Sequence, residues 1–196
     1  MINLYDVKFK TTLMEASEDD KNGEYMTQST EKVIDFDKVK EEYIKNIHPK
    51  VTPASNDVLM KIDNKIYFIE FKNGNITKKE IYNVKRKIFE SLLIFSDITG
   101  ETISFTRENV NYILVYNGEK SKKYIEHIIE ERQKCNLNKL EDDEIQESVA
   151  FDEFTSQMAK LANYHMDIFG LDKQFSKMYF KSVKTYDIDE FNEKFI

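Results

Sequence analysis

The fold follows from the stretch Asp57-Val-Leu-Met-Lys-Ile-Asp-Asn-Lys-Ile-Tyr-Phe-Ile-Glu-Phe-Lys72. Residues 58–62 and 66–71 are rich in β-branched, aromatic and other apolar side chains, as strands are. The only polar break between them is Asp63-Asn64-Lys65. A two-residue Asp63-Asn64 loop suits a turn with positive φ, which Asn tolerates best after Gly. The stretch therefore predicts two antiparallel strands joined by a tight turn.

A two-residue turn also fixes which residues face each other. It pairs Ile62 with Lys65, and counting outward from that pair places Asp57 directly opposite Glu70. Because side chains alternate between the two faces of a strand, Lys72 lies on the same side as Glu70. A three-residue loop would move Asp57 to the opposite face, since one step of register reverses every side chain. The register therefore predicts two carboxylates and one ammonium group on one face.

The two carboxylates predict a cation site. Side chains opposite each other on paired strands lie roughly 5 Å apart, and like charges at that distance repel. A divalent metal would remove the repulsion, and Mg²⁺ or Mn²⁺ prefers carboxylate oxygens such as those of Asp57 and Glu70. In the structural alternative, Asp57 caps a turn while Glu70 and Lys72 are solvent-facing residues of an edge strand. Ile66 and Phe68, on the face of Glu70, make that face apolar and favour the metal site.

The same residues resemble the pattern of the PD-(D/E)XK nuclease superfamily. That pattern is an acidic residue, a hairpin, and then Asp or Glu followed two positions later by Lys. Asp57 matches the first acid, and Glu70-Phe71-Lys72 matches the second half of the pattern. Asn56 stands where the pattern has Pro, and Pro53 lies nearby. The resemblance implies an α/β fold with a restriction-endonuclease-like αβββαβ core.

The resemblance also implies a role for each residue. Asp57, Glu70 and the backbone carbonyl of Phe71 would hold Mg²⁺ or Mn²⁺, which would activate a water and polarise the scissile phosphate. Lys72 would orient that water and neutralise charge that develops on the phosphate oxygens. In this superfamily the helix before the hairpin often supplies one more Glu, and Glu42 is the candidate here. The alternative for Glu42 is an ordinary surface glutamate.

Helical and strand patterns surround the hairpin. Apolar residues at helical spacing predict one helix at residues 37–47 and another at residues 78–96. A strand is predicted at Val110–Tyr116, followed by a helix at residues 120–133. The order of helix, hairpin, helix and strand agrees with the implied core.

The length of the chain suits one domain. Its 196 residues can bury a sizeable core and still carry a small appendage. We expect residues 1–135 to form the nuclease-like core. Residues 136–196 are expected to add helices and a strand as a C-terminal extension packed on the same domain. The first strand of the implied core is not obvious, and either residues 32–36 or residues 2–9 would supply it.

The charge distribution favours a nucleic-acid surface near the hairpin. The net charge is -7, which disfavours general affinity for phosphates. In contrast, residues 72–87 carry six basic side chains and one acidic one. Candidates for contacting nucleic acid in this segment are Lys78, Lys79, Tyr82, Lys85 and Arg86. The alternative is a solvated basic helix face.

An acidic segment lies further along the chain. Residues 141–153 carry seven acidic side chains and no basic one. Three roles are compatible with this composition: the segment repels DNA, covers the site until a partner displaces it, or solvates a loop. The last role is the default, because charged runs usually lie on solvated surfaces.

The composition excludes several other classes of protein. The single Cys135 excludes an internal disulfide and a cysteine-rich metal site. No apolar run approaches the length of a membrane span and the N-terminus lacks a signal-peptide core, so a cytoplasmic protein without membrane contact is expected. A Gly-rich phosphate loop and a Gly-x-Ser-x-Gly elbow are missing as well.

These observations lead to one expected function and one alternative. The chain is expected to be a metal-dependent nuclease that hydrolyses phosphodiester bonds, of DNA rather than RNA, in a prokaryotic or phage setting such as phage defence. The alternative is a catalytically inactive nuclease fold that acts as a binding or regulatory subunit of a defence, restriction or toxin-immunity system. A protein partner or a homodimer is compatible with both.

Overall fold

The computed structural model describes residues 2–19, 22–45, 47–140 and 167–196. Its strands are β1 (Lys10–Thr12), β2 (Glu18–Asp19), β3 (Glu24–Tyr25), β4 (Lys32–Asp35), β5 (Val58–Ile62), β6 (Lys65–Lys72), β7 (Val110–Tyr116) and β8 (Ser182–Asp187). Its helices are α1 (Leu13–Ala16), α2 (Phe36–Ile44), α3 (Lys78–Thr99), α4 (Ile103–Asn109), α5 (Gly118–Leu140), α6 (Leu171–Phe175) and α7 (Ile188–Phe195). A 3₁₀ helix spans Val7–Phe9.

The predicted hairpin is made by β5 and β6. The two strands pair antiparallel, with Ile62 beside Lys65 at the turn, as predicted. Asp63 and Asn64 form the turn with φ values of 47° and 63°. Only residues such as Gly, Asn and Asp adopt these positive values routinely. The turn sequence therefore sets the register of the whole hairpin.

The hairpin lies inside a six-stranded mixed sheet with strand order β1-β4-β5-β6-β7-β8. The first four strands pair antiparallel, whereas β6, β7 and β8 run parallel to one another. β6 is thus an interior strand with a partner on each side. The alternative that Glu70 and Lys72 lie on an edge strand is therefore wrong. Strands β2 and β3 form a separate two-stranded sheet.

Both faces of the large sheet are covered by apolar side chains. On one face, the ring of Phe68 contacts the rings of Phe36 and Phe95, with centroids 5.0 Å and 5.7 Å away. On the other face, Phe191 of α7 contacts Phe71 in a T-shaped pair with centroids 5.7 Å apart. Burying each of these side chains contributes about 1.5–3 kcal/mol. The two cores hold β6 in place from both sides.

Most elements predicted around the hairpin are confirmed, with shifted ends. The helix predicted at residues 37–47 is α2, and the one predicted at residues 78–96 is α3. Helix α3 continues beyond its predicted end to Thr99, and it is capped by Gly100, whose φ is 72°. The strand predicted at Val110–Tyr116 forms with those bounds. The helix predicted at residues 120–133 lies within the longer α5.

The residues directly before α2 supply the strand that pairs with β5. Of the two predicted alternatives, residues 32–36 supply it as β4, which pairs antiparallel with β5. Residues 2–9 form no strand, so that alternative is wrong. The strand ends at Asp35, because the Asp35 side chain accepts a hydrogen bond from the Lys38 backbone N–H and caps α2. As a result β4 precedes α2, and the described residues between α2 and the hairpin form no strand.

The C-terminal part of the chain joins the same sheet. β8 pairs parallel with β7 along six residue pairs. Helix α7 begins with a capping box, in which Asp187 and Glu190 satisfy each other's backbone N–H groups. The acidic segment at residues 141–153 lies outside the described residues. In the described part of the chain, no helix combines the length and the apolar character that a membrane crossing needs.

Candidate functional site

The predicted carboxylate pair lies at the open end of the hairpin, away from its turn. Asp57 directly precedes β5, and Glu70 lies near the end of β6. The Phe71 backbone N–H donates a 2.7 Å hydrogen bond to Asp57 Oδ2, which holds this carboxylate against β6. The carbonyl of Phe71 points toward the same neighbouring strand as its N–H. The structure therefore brings Asp57, Glu70 and the Phe71 carbonyl to one end of the hairpin.

Two lysines bind the carboxylates. Lys72 Nζ lies 2.6 Å from Glu70 Oε1, which places the two side chains on the same side of the sheet as predicted. Lys87 Nζ lies 2.7 Å from the same Glu70 oxygen and 3.0 Å from Asp57 Oδ1. The cluster therefore contains two carboxylates and two ammonium groups, and Lys87 connects the carboxylates.

Lys87 is the residue that sequence reasoning missed. Lys87 is one of the six basic residues in residues 72–87, but its contact with Asp57 or Glu70 is not predicted from the sequence. A signal for it is present in the sequence, because residues 84, 87, 88 and 91 fall on one face of a helix. Val84, Ile88 and Ser91 are fully buried, so Lys87 lies on the face that α3 turns toward the sheet.

The loop before Asp57 is fixed by side chains of two helices. Asp37 of α2 accepts a hydrogen bond from the Ser55 hydroxyl, and Glu90 of α3 accepts one from the Ala54 backbone N–H. The Ser91 hydroxyl of α3 accepts a 2.7 Å hydrogen bond from the Asn56 backbone N–H. Together these hydrogen bonds set the position of Asp57.

Asn56, at the position where the superfamily pattern has Pro, is buried beneath the cluster. The Tyr112 hydroxyl donates a 3.4 Å hydrogen bond to Asn56 Oδ1. Burial, followed by the nearby carboxylates of Glu70 and Asp57, raises the pKa of Tyr112 well above its usual value, so its hydroxyl stays protonated. Asn56 Nδ2 is buried and has no hydrogen-bond partner.

Burial and neighbouring charges change the pKa values of Asp57 and Lys87. Burial and the charge of Glu70 raise the pKa of Asp57 to about 7, against the opposing effect of Lys87 and Lys72. Burial disfavours the charge of Lys87, but Glu70 and Asp57 outweigh that effect and raise the pKa of Lys87 above its usual range. Lys87 is therefore charged at neutral pH, while the negative charge on Asp57 is costly.

Glu70 has a buried oxygen without a partner. The side chain of Glu70 is completely inaccessible to solvent, and its Oε2 atom makes no hydrogen bond. A buried carboxylate oxygen without a partner costs on the order of 1–3 kcal/mol or more. A cation bound there would remove this cost, and Asp57 supplies a second hard oxygen ligand beside it.

These residues fit a small divalent metal. Mg²⁺ commonly takes one or two carboxylates from the protein and completes its shell with water and substrate phosphate. Within the described ranges, no group of three or more His, Cys, Asp or Glu side chains could hold a metal. The fit therefore rests on the two carboxylates, Asp57 and Glu70, with the Phe71 carbonyl beside them.

The structure does not bring Glu42 into this cluster. Glu42 forms ion pairs with Lys45 at 2.8 Å and with Lys8 at 3.2 Å. Hydrogen bonds from Lys45 and Lys8 lower the pKa of Glu42 below its usual value. In the described part of the chain, no hydrogen bond or ion pair joins Glu42 to Asp57 or Glu70. The prediction of Glu42 as a fourth ligand thus lacks support, because its position on α2 directs the side chain toward the lysines.

The predicted nucleic-acid residues line the outer surface of α3. Their side chains are exposed, apart from the half-buried Lys85; the exposed ones are Lys78, Lys79, Tyr82 and Arg86. The exposed fraction of Tyr82 is 69%. Among the described residues, none of the four basic ones forms an ion pair, so their charges are available to a ligand.

A cleft of about 440 Å³ opens beside Lys72. Its walls are the start of α3, with Glu80 and the capping residue Thr77, and the region of the small β2–β3 sheet, with Glu18 of β2 and Met26 after β3. Carboxylates therefore line the cleft together with Lys72. The basic segment at residues 72–87 therefore lies beside a cleft that also carries carboxylates.

Comparison of the chain with protein-family models, with curated proteins and with solved structures gives no significant match.

Proposed function

We propose that this chain is a metal-dependent nuclease of the PD-(D/E)XK type, acting on DNA in preference to RNA. The observation that carries the proposal is Glu70, whose Oε2 is buried without a partner next to Asp57 and Lys72. This is the arrangement that a carboxylate-bound Mg²⁺ or Mn²⁺ and a catalytic lysine require. The proposed setting is the cytoplasm of a prokaryotic or phage-infected cell.

The order of elements supports a restriction-endonuclease-like core. Helix α2, strands β5 and β6, helix α3 and strand β7 occur in this order, with the short α4 between α3 and β7, and β7 returns parallel to β6. One difference from the αβββαβ order is the place of β4, which precedes α2 instead of following it. Because β4 still pairs with β5, strands β4, β5, β6 and β7 are neighbours in the sheet, which supports a core of this type.

The mechanism assigns a task to each residue of the cluster. Asp57 and Glu70, with the Phe71 carbonyl, would hold the metal, whose chemistry is to acidify a bound water and polarise the phosphate. Lys72, with 21% of its side chain exposed, faces the cleft from which substrate would enter. Its ammonium group orients the nucleophilic water and neutralises charge on the phosphate in the transition state.

The exposed side of α3 is proposed to bind the nucleic-acid backbone. Lysine and arginine side chains that neutralise phosphates supply most sequence-independent affinity, and this affinity falls with salt. The residues proposed for this contact are Lys78, Lys79, Tyr82, Lys85 and Arg86. Tyr82, which is largely exposed, offers a ring on which an unpaired base can stack.

The test is a cleavage assay on single-stranded, double-stranded and branched DNA and on RNA, with Mn²⁺, with Mg²⁺ and with EDTA. Asp57→Asn, Glu70→Gln and Lys72→Met should each lower the cleavage rate by at least about a hundredfold. Lys61→Met is the matched control for Lys72, because Lys61 is an exposed lysine of the same hairpin. Wild-type rates in the three site variants, in folded protein, would contradict the proposal.

A second candidate function is a non-catalytic module that binds or regulates, alone or with a protein partner. The observation that favours it is the pair of lysines, since Lys72 and Lys87 already balance the charges of Asp57 and Glu70. Calorimetric titration with Mn²⁺ separates the two functions. A nuclease should bind Mn²⁺ and lose that binding in Glu70→Gln. The module should bind no metal and cleave none of the substrates.

A further inference from the structure

Lys87 and Lys72 reach the carboxylates from different elements. Lys72 belongs to the same strand as Glu70, whereas Lys87 projects from α3 onto the sheet. Among the described residues, Lys72 pairs with Glu70 alone, while Lys87 pairs with both Asp57 and Glu70. Lys87 thus takes the place between the carboxylates where a shared metal ion would neutralise both.

The charge balance of the cluster opposes simultaneous binding of Lys87 and a metal. Two carboxylates and two ammonium groups sum to zero, so a divalent ion would add two uncompensated positive charges to a half-buried site. Such an excess is costly where water is largely excluded. Removal of one ammonium group lowers the excess and frees the oxygens that it occupies.

The Lys87 ammonium group can leave the carboxylates without rearrangement of the backbone. Helix α3 is held by the buried residues Val84 and Ile88, so the helix itself stays in place. The Lys87 side chain is 22% exposed, and its flexible four-carbon stem can carry the ammonium group outward to water. Its departure would release Asp57 Oδ1 and relieve Glu70 Oε1 of one of its two ammonium partners.

We infer that Lys87 is a built-in counter-ion that closes the metal site and must be displaced for a metal to bind. The inference rests on the proposed function, because it concerns the same site. Lys87 would therefore lower the metal affinity, whereas a metal ligand or a positioning residue would raise it. After displacement, the ammonium group lies at the rim of the site, where it can bind substrate phosphate.

Removing the charge of Lys87 should therefore strengthen metal binding. Mn²⁺ affinity, measured by calorimetry on the full chain, should rise by about tenfold or more in Lys87→Met. The metal-free variant should melt at a lower temperature than wild type, because its two carboxylates repel each other. Saturating Mn²⁺ should raise its melting temperature by more than it raises that of wild type. Lys61→Met, at an exposed lysine without an ion pair in the described residues, is the control and should change neither quantity.

The outcomes separate the inference from the proposed function. Mn²⁺ binding by wild type that is unchanged or weaker in Lys87→Met overturns the inference and leaves the metal site standing. Absence of binding in both proteins overturns the inference and the metal site together. Binding only in the variant supports the inference and places wild type in the closed state. Lys87→Gln is the second variant, and it keeps a polar side chain if Lys87→Met does not fold.

A measurement on the wild-type protein gives an independent check. Acetylation of lysines, followed by mass spectrometry of the peptides, reports how accessible each ammonium group is. Addition of Mn²⁺ should increase the rate at which Lys87 is acetylated several-fold, while exposed Lys61 should react at the same rate with and without metal. An unchanged or lower rate at Lys87 under conditions where Mn²⁺ is bound would overturn the inference.

Discussion

At the scale of single residues, the site depends on how Asp57 is held. Its Oδ2 accepts a hydrogen bond from the Phe71 N–H, and its Oδ1 accepts one from Lys87. These two bonds favour the charged carboxylate. Burial and the nearby charge of Glu70 disfavour it more strongly, and they raise the pKa of Asp57 to about 7. In the metal-free protein, ionised Asp57 is thus a source of instability.

This shift predicts how stability depends on pH. Because the pKa of Asp57 rises from 3.8 to about 7 on folding, the folded state binds this proton more tightly than the unfolded state. The contribution of Asp57 to the free energy of unfolding therefore falls as pH rises between these two values. Asp57→Asn should remove that fall, as measured by urea denaturation in EDTA at several pH values. Glu41→Gln, at an exposed position, is the control, and an equal pH slope in Asp57→Asn and wild type would contradict the prediction.

At the scale of elements, the turn of the hairpin decides whether the site exists. Asp57 and Glu70 lie on one face only because the turn contains two residues, and one further residue would reverse the side chains of one strand. Asp63 and Asn64 both adopt positive φ, which suits the twist of a two-residue hairpin. The turn therefore couples a local backbone preference to the position of a carboxylate at the far end of the strands.

Substitution of Asn64 tests this coupling. Asn64→Val should lower the free energy of unfolding by about 1–2 kcal/mol, because a β-branched residue is strained at positive φ. Asn64→Gly should leave stability equal or higher, since Gly adopts this conformation freely. Lys65→Val is the matched control, as this neighbour is an exposed strand residue and should tolerate Val. A comparable loss in Asn64→Val and Lys65→Val, by urea denaturation, would count against the role of the turn.

At the scale of the whole molecule, the C-terminal helix supports the site from behind. Phe71 lies between Glu70 and Lys72 in β6, and its ring points to the opposite face of the sheet. There it packs on Phe191 of α7, which is completely buried. The last helix of the chain therefore fixes the strand segment that carries two residues of the cluster.

Removal of the Phe191 ring should weaken both stability and the site. Phe191→Ala should lower the free energy of unfolding by about 3–5 kcal/mol, because it leaves a cavity in the core between α7 and the sheet. Phe195→Ala, at a half-buried position one turn later, should cost less than half as much. Urea denaturation gives the two stabilities, and Mn²⁺ titration of the folded variants gives the effect on the site. Equal losses in the two variants would show that α7 does not support β6 through Phe191.

The hairpin, its register and the strands and helices next to it could be predicted from the sequence. Alternation of side chains, turn residues and helix caps act over a few positions, so they can be predicted from local sequence. The placement of Asp57, Glu70 and Lys72 on one side follows from these local rules.

The position of Lys87 between the two carboxylates could not be predicted from the sequence, because it depends on tertiary packing. Lys87 is 17 positions from Glu70 and reaches it because α3 packs across the sheet. The same holds for the pairing of β4 with β5, for the parallel pairing of β8 with β7, and for the ion pair of Glu42 with Lys8. These contacts join segments that are distant in the chain. Their partners are selected by how elements pack around the shared cores, and local sequence patterns do not specify that packing.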